Sequence, residues 1–267
     1  MTAFLEVTGL TVRHPGATRD AVRDLHLSVD RGEVLCLAGP NGSGKSTTLA
    51  ALGRELRPRE GSIRLGGTSI WSLSRRAFAR KVAHLPQDPI FPEGLTVEAL
   101  VQSGRYPHAG PLRGFERCDQ QAVDEAITDM DLQHLRSRPM ERLSGGERRR
   151  AWLALVLCQR AEILLLDEPI ASLDIRHRFE VLGHLARLNR EWGVTMVIVL
   201  HELELAGALA HRIATFTRGR LYEIAHPAHA LRGEMLLDVF GVEGSFHHDH
   251  GALRLDVHAA AEPLRSL

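Results

Sequence analysis

GEVLCLAGPNGSGKST, residues 32 to 47, is the stretch on which the fold turns. Its first half, GEVLCLAG (32 to 39), carries apolar residues on consecutive positions, the pattern of a buried strand covered on both faces. Its second half, GPNGSGKST (39 to 47), fits the spacing GxxxxGK[ST], and STTLAALGREL (46 to 56) reads as the helix that follows, until PREG (58 to 61) breaks the chain. A strand running into a glycine-rich loop that opens a helix is the context in which such a loop cradles phosphate. Gly39, Gly42 and Gly44 let backbone N–H groups curl inward, with Pro40, Asn41 and Ser43 between them, and the helix N-terminus adds a favourable field. Lys45 supplies a positive charge between the β- and γ-phosphates, the Ser46 hydroxyl is placed to ligate Mg²⁺, and Thr47 closes the motif. A glycine turn that merely packs would not need the flanking strand and helix.

Further along, EILLLDE (162 to 168) and VTMVIVLHE (194 to 202) are two more strands with apolar residues on consecutive positions. Short runs of Val, Ile and Leu alternate with segments of helical period, so the class is α/β with a largely parallel sheet and crossover helices. Asp167 and Glu168 end the first of these strands. An acidic pair at a strand end is often only a solvated terminus. Downstream of a phosphate loop it reads as a Mg²⁺-holding acid, Asp167, beside Glu168, a group able to orient or deprotonate an attacking water.

The pattern changes between roughly residues 89 and 159, where TVEALVQSGRY, DQQAVDEAITDMDL and GGERRRAWLALVLCQR are amphipathic helical segments. This is read as a helical insertion within a core of about residues 1–88 and 160–225, and residues 226–267 as a tail with some strand character. The 267 residues are taken as a single domain of this composite kind. With 33 basic and 33 acidic residues the chain has no charge footprint for bulk nucleic-acid binding. Cys36, Cys118 and Cys158 lie in no ligand spacing and read as reduced thiols, which points to the cytoplasm. The first residues lack the features of a signal peptide, and no apolar run approaches the ~20 residues a spanning helix needs, so contact with a membrane is expected to go through another protein.

The second glycine pair, in LSGGERRR (143 to 150), is introduced by a serine. Together with the phosphate loop and the acidic strand end it makes the chain resemble the nucleotide-binding subunits of ATP-binding cassette transporters. The resemblance implies a P-loop NTPase core of RecA-like type, a helical signature subdomain and a small antiparallel β region, with ATP and Mg²⁺ as ligands. LSGGE matches the signature motif, which covers ATP held by the phosphate loop of a second subunit packed head to tail. Ser144, Gly145 and Gly146 would then reach the γ-phosphate across a homodimer. Gln87 in HLPQDP matches the Q-loop, whose side chain reaches Mg²⁺ and water. Asp174 in SLD (172 to 174) matches the D-loop, and His201 matches the switch histidine. Glu168, His201 and Gln87 are the catalytic candidates, and Ser46, Gln87 and Asp167 the Mg²⁺ ligands. Three departures stand out: His14 falls where an adenine-stacking aromatic is usual, Ile170 where Thr is common, and Glu202 where Asp usually follows the histidine.

GLTVEALVQSGRYPHAGPLRGF (94 to 115) resembles the ATPases of bacterial importers for ferric siderophores, nearest the hydroxamate branch, and more loosely those for heme and vitamin B12. The resemblance implies two permease subunits, an external substrate-binding protein, a peripheral position on the cytoplasmic face of the inner membrane and no nucleic acid. Arg105, Tyr106, Pro107 and His108 are expected on or near the permease docking groove. His247, His248, His250 and His258 in the tail could chelate a metal, though a solvated His-rich surface is preferred. A soluble cassette ATPase acting on DNA or ribosomes usually carries two cassettes or basic extensions. A P-loop kinase would leave LSGGE, Gln87 and His201 without a role.

Overall fold

The computed structural model describes residues 3–87, 89–109, 114–249 and 252–260. The chain divides into two compact units, residues 1–69 with 197–267, and residues 70–196.

In the first unit, β1 (Leu5–Val12) pairs antiparallel with both β2 (Val22–Val29) and β4 (Glu60–Leu65), and β5 (Thr68–Ser69) adds to the edge of β4. β2 buries Val22, Leu25, Leu27 and Val29 and exposes the residues between them, the alternation of a sheet with one covered face. β3 (Val34–Ala38) is buried at every position and pairs in parallel with β9 (Arg212–Thr217), which turns back as antiparallel β10 (Arg220–Ala225). The strand predicted from GEVLCLAG is therefore covered on both faces and delivers its C-terminal end to the glycine loop. α1 (Lys45–Leu52) follows and stops at Gly53. α7 (Leu203–Leu209) lies beneath a C-terminal hairpin of β11 (Val242–Asp249) and β12 (Ala252–Ala260), with the Leu255 N–H donating to Glu204 Oε1 at 3.0 Å.

In the second unit, α2 (Arg75–Lys81) leads into β6 (Val82–Leu85), which pairs in parallel with the fully buried β7 (Ile163–Asp167). Three helices lie between these strands in sequence: α3 (Val97–Ser103), α4 (Arg117–Asp129) and α5 (Gly145–Cys158). They correspond to the three amphipathic segments of the sequence. α3 and α4 both pack against α5. α6 (Ile175–Trp192) follows β7, and the division between the units falls within β8 (Thr195–Val199). Local chemistry sets the helix starts. Thr96 Oγ1 accepts from the Ala99 N–H at 3.2 Å, and Ser144 Oγ accepts from the Glu147 N–H at 3.2 Å while Glu147 Oε2 accepts from the Ser144 N–H at 2.7 Å, a reciprocal capping box. Among the described residues no helix is long and apolar enough to cross a membrane.

Candidate functional site

The glycine loop of the first unit is built around its own backbone. Gly44 caps α1 at φ 107°, a left-handed conformation that L side chains rarely adopt, and a Cβ there would stand 2.7 Å from the Ala21 carbonyl oxygen. Lys45 is buried, and its Nζ donates to the Gly39 carbonyl at 2.7 Å and the Pro40 carbonyl at 2.9 Å, which draws the loop into a ring. The Thr48 N–H and Oγ1 both donate to the Gly44 carbonyl, each at 2.9 Å. The first N–H groups of an α-helix point outward along its axis, so the start of α1 offers backbone donors of the kind that suit phosphate. At Gly42 an added Cβ would meet nothing within 4 Å, so that side of the loop is open. These features fit a nucleotide triphosphate.

Exposed His14 places Nε2 2.9 Å from Thr47 Oγ1, so the residue standing where an aromatic was expected touches the end of the phosphate loop. His201 follows β8 and lines a cavity of about 440 Å³ with Glu202, Leu236, Phe240, Leu255 and Val257. Glu202 occupies the N-cap position of α7.

The second unit gathers a different set. β7 ends in Asp167, which is buried, and the next residue, Glu168, adopts φ 49° and is half-buried. Gln87 Nε2 donates to Glu168 Oε1 at 3.3 Å, so the two side chains singled out as catalytic in this unit meet directly. Gly145, at the start of α5, shares a cavity of about 430 Å³ with Gln87, Glu168, Arg149, Trp152 and Ser172. A Cβ on Gly146 would stand 3.3 Å from the Ser172 carbonyl, so the second glycine of the signature allows close approach of the segment after β7. Asp174 caps α6, accepting from the His177 N–H at 2.9 Å and lying 2.7 Å from His177 Nδ1. That backbone donor and the imidazole hold its carboxyl below the usual carboxylate range. Ile170 is buried.

Sequence reasoning missed Arg149. Three consecutive arginines in a helix look like a solvated face, yet Arg149 and Arg150 are both buried. The Arg149 guanidinium donates to the carbonyls of Pro86 and Gln87, each at 3.0 Å, to that of Glu168 at 2.7 Å, and to that of Asp167. The only available signal was its spacing. Arg149 falls on the same helical stripe as the buried Leu153 and Val156, where a solvent-facing charge has no place.

A glycine loop after a buried strand, an acidic strand end met by a glutamine and a serine-capped glycine pair are now placed. A family model described as ABC transporter matches residues 22–171. The chain belongs to the ABC transporter family. It is 36% identical over 231 residues to the iron(3+)-hydroxamate import ATP-binding protein FhuC of Bacillus subtilis, covering 86% of each chain. It is 40% identical over 252 residues to the hemin import ATP-binding protein HmuV of Streptomyces coelicolor, covering 94% of this chain and 88% of that one. A dimeric ATP-binding cassette solved in a post-hydrolysis state with ADP and Pi superposes with a TM-score of 0.76 at 24% identity, over 84% of this chain and 98% of the other. This ABC transporter subunit is an ATPase, with the α/β P-loop core, helical subdomain and small antiparallel sheet that the sequence implied.

Elsewhere in the subunit, residues 105 to 108, expected on or near a docking groove, are not alike, and Arg105 offers no surface of its own. It is buried, pairing with fully buried Asp119 at 2.9 Å and donating to the Cys158 carbonyl at 2.9 Å. Tyr106 is exposed, the Pro107 carbonyl accepts from Arg76 and Arg80, and His108 Nε2 lies 2.8 Å from the Gln159 carbonyl. Burial lowers the His108 pKa and pushes the Cys36 and Cys158 thiols up to about 12, so both thiols stay protonated and inert. Residues 110–113 and His250 lie outside the described residues. Among the described residues no three His, Cys, Asp or Glu side chains are grouped to hold a metal ion.

Proposed function

We propose that this subunit energises a bacterial importer of ferric siderophores. The observation that carries the catalytic part is the contact of Gln87 Nε2 with Glu168 Oε1 at the end of β7. A carboxylate held there beside an amide can orient a water and take its proton as the water oxygen attacks the γ-phosphorus and the bond to the β–γ bridging oxygen breaks. In the family's division of labour, the backbone of Gly39 to Thr47 and Lys45 bind the phosphates, His201 contacts the γ-phosphate, and His14 lies against the base. Ser46, Gln87 and Asp167 offer hydroxyl, amide and carboxylate oxygens, the hard donors that suit Mg²⁺ shared with substrate phosphates. Mg²⁺ held by them would supply positive charge to offset the negative charge of the phosphates.

Two copies would pack head to tail, with Ser144, Gly145, Gly146 and Asp174 of each completing the nucleotide site of the other. This assembly would sit on the cytoplasmic face of the membrane beneath two permease subunits served by an external binding protein. Residues 1–88 and 160–225 form the ATPase core of this reading, 89–159 the subdomain that meets the permease, and 226–267 the tail. ATP then favours the closed dimer over the open one, and hydrolysis resets the cycle.

Siderophore cargo rests on the similarity to the hydroxamate-import ATPase, and the hemin-import relative, which covers more of the chain, supports heme as the second reading. The test is ATPase activity and uptake after reconstitution with siderophore and heme permeases and their loaded binding proteins, with Glu168→Gln as the control. Cargo-dependent stimulation by a siderophore permease, abolished in Glu168→Gln, is the expected result. Stimulation by the heme permease alone would reassign the cargo, and turnover indifferent to both would overturn the importer reading.

A further inference from the structure

The geometry points to Arg149 as a positioning residue that holds the Gln87–Glu168 pair in register for hydrolysis, an inference that rests on the role given above to Glu168. Gln87 and Glu168 lie on segments 81 residues apart, and their side chains touch through one hydrogen bond of 3.3 Å at the edge of a cavity. A single hydrogen bond between a half-buried carboxylate and an exposed amide is a modest constraint. Their backbones, however, share a single buried anchor. One terminal nitrogen of Arg149 donates to the Pro86 and Gln87 carbonyls, and the other donates to the Asp167 and Glu168 carbonyls.

A planar guanidinium offers donors in two fixed directions, so one side chain spans both segments, whereas an ammonium is a single point of donation. The Glu168 carbonyl also accepts from the Ala171 N–H at 3.1 Å, so Arg149 and the turn after β7 meet at the same oxygen. Glu168 itself holds φ 49°, a conformation that is uncommon outside glycine and persists where its surroundings over-determine it. Arg149 lies on α5, the helix that Ser144 caps. The helix that Ser144 caps is thereby tied directly to the backbone of the catalytic pair.

The test uses the full-length protein with Arg149→Lys and Arg149→Gln, each alone and combined with Glu168→Gln. In the single variants kcat for ATP falls by about 10- to 100-fold, as displacement of a positioned group by about an ångström would cause. KM for ATP stays within about threefold, since the phosphate loop is untouched. In the nucleotide-free protein, hydrogen exchange at the Ala171 amide quickens while the melt remains cooperative. In the Glu168→Gln background neither change lowers the residual single-turnover rate further, because Arg149 acts through Glu168. An unchanged kcat, a rise in KM alone, or losses that add in the double variants would overturn the proposal. Loss of a cooperative melt in both variants would make Arg149 a structural prop and overturn it equally. Wild-type turnover in Glu168→Gln alone would remove the underlying reading and the proposal with it. An inactive Glu168→Gln beside a fully active Arg149→Lys would overturn the proposal and leave that reading standing.

Discussion

Replacing Gly44 by alanine should disable the phosphate loop, and the structure supplies the size of the effect. Gly44 holds φ 107°, so any side chain there carries a left-handed conformation costing roughly 1–2 kcal/mol. The added Cβ would also stand 2.7 Å from the Ala21 carbonyl oxygen and 3.1 Å from Val22 Cγ2, closer than Cβ atoms are found. The oxygen belongs to backbone, so relief requires the loop to move, at an overpacking cost of about 1–3 kcal/mol. The sum, about 2–5 kcal/mol, corresponds to a fall in Tm of roughly 4–20 °C for a chain of this size. On the proposed role of the loop, the same movement would displace the N–H groups of Gly44, Lys45 and Ser46 from the phosphates, and losing one good hydrogen bond of about 1.4 kcal/mol would weaken ATP binding about tenfold. Gly42 is the internal control. Its φ is 74° but an added Cβ meets nothing within 4 Å, so Gly42→Ala carries the conformational cost alone, about 2–8 °C in Tm. Scanning calorimetry and nucleotide titration on both variants decide the matter. If Gly44→Ala bound ATP within about twofold of wild type, or lost no more stability than Gly42→Ala, the argument from the Ala21 contact would be wrong.

Three other expectations follow from the second unit. Ser144→Arg should abolish hydrolysis and ATP-dependent dimerisation, seen by size-exclusion chromatography with light scattering, while ATP binding to the monomer persists; normal turnover would rule out a composite site. Asp119→Asn strands the buried Arg105 guanidinium without its counter-charge, a loss of about 3–5 kcal/mol that lowers Tm by roughly 6–20 °C, with KM for ATP unaltered. A Tm within about 2 °C of wild type would show that the pair is not essential to stability. The Ser144 N–H holds the Glu147 carboxyl below its ordinary pKa of 4.5. Its contribution is therefore present above that pH and lost as pH falls through the lowered folded value. Glu147→Gln keeps an acceptor for the Ser144 N–H but cannot titrate, so its stability deficit against wild type should shrink on acidification; a deficit constant from neutral pH to about pH 3 would sink the assignment.

The sequence by itself determined what depends on neighbours along the chain. Glycine spacing sets the phosphate loop, the apolar runs at Val34 to Ala38 and Ile163 to Asp167 set two buried strands, and Ser144 with Glu147 sets the start of α5 through a box spanning three residues. The hairpin of the tail was only faintly legible, because two strands with exposed polar faces show a weak period until α7 covers the other side. Tertiary structure alone decided the fate of the arginines. A guanidinium is excluded from an interior unless carbonyls or a carboxylate await it there. Arg105 was expected on or near a docking groove and Arg149 carried no expectation, since Asp119, Cys158, Pro86 and Glu168 come to meet them from residues 14 to 63 positions away. Such partners leave no periodic trace in the sequence. Their existence is a property of where the backbone closes on itself, and it is there that Gln87 and Glu168 become a pair.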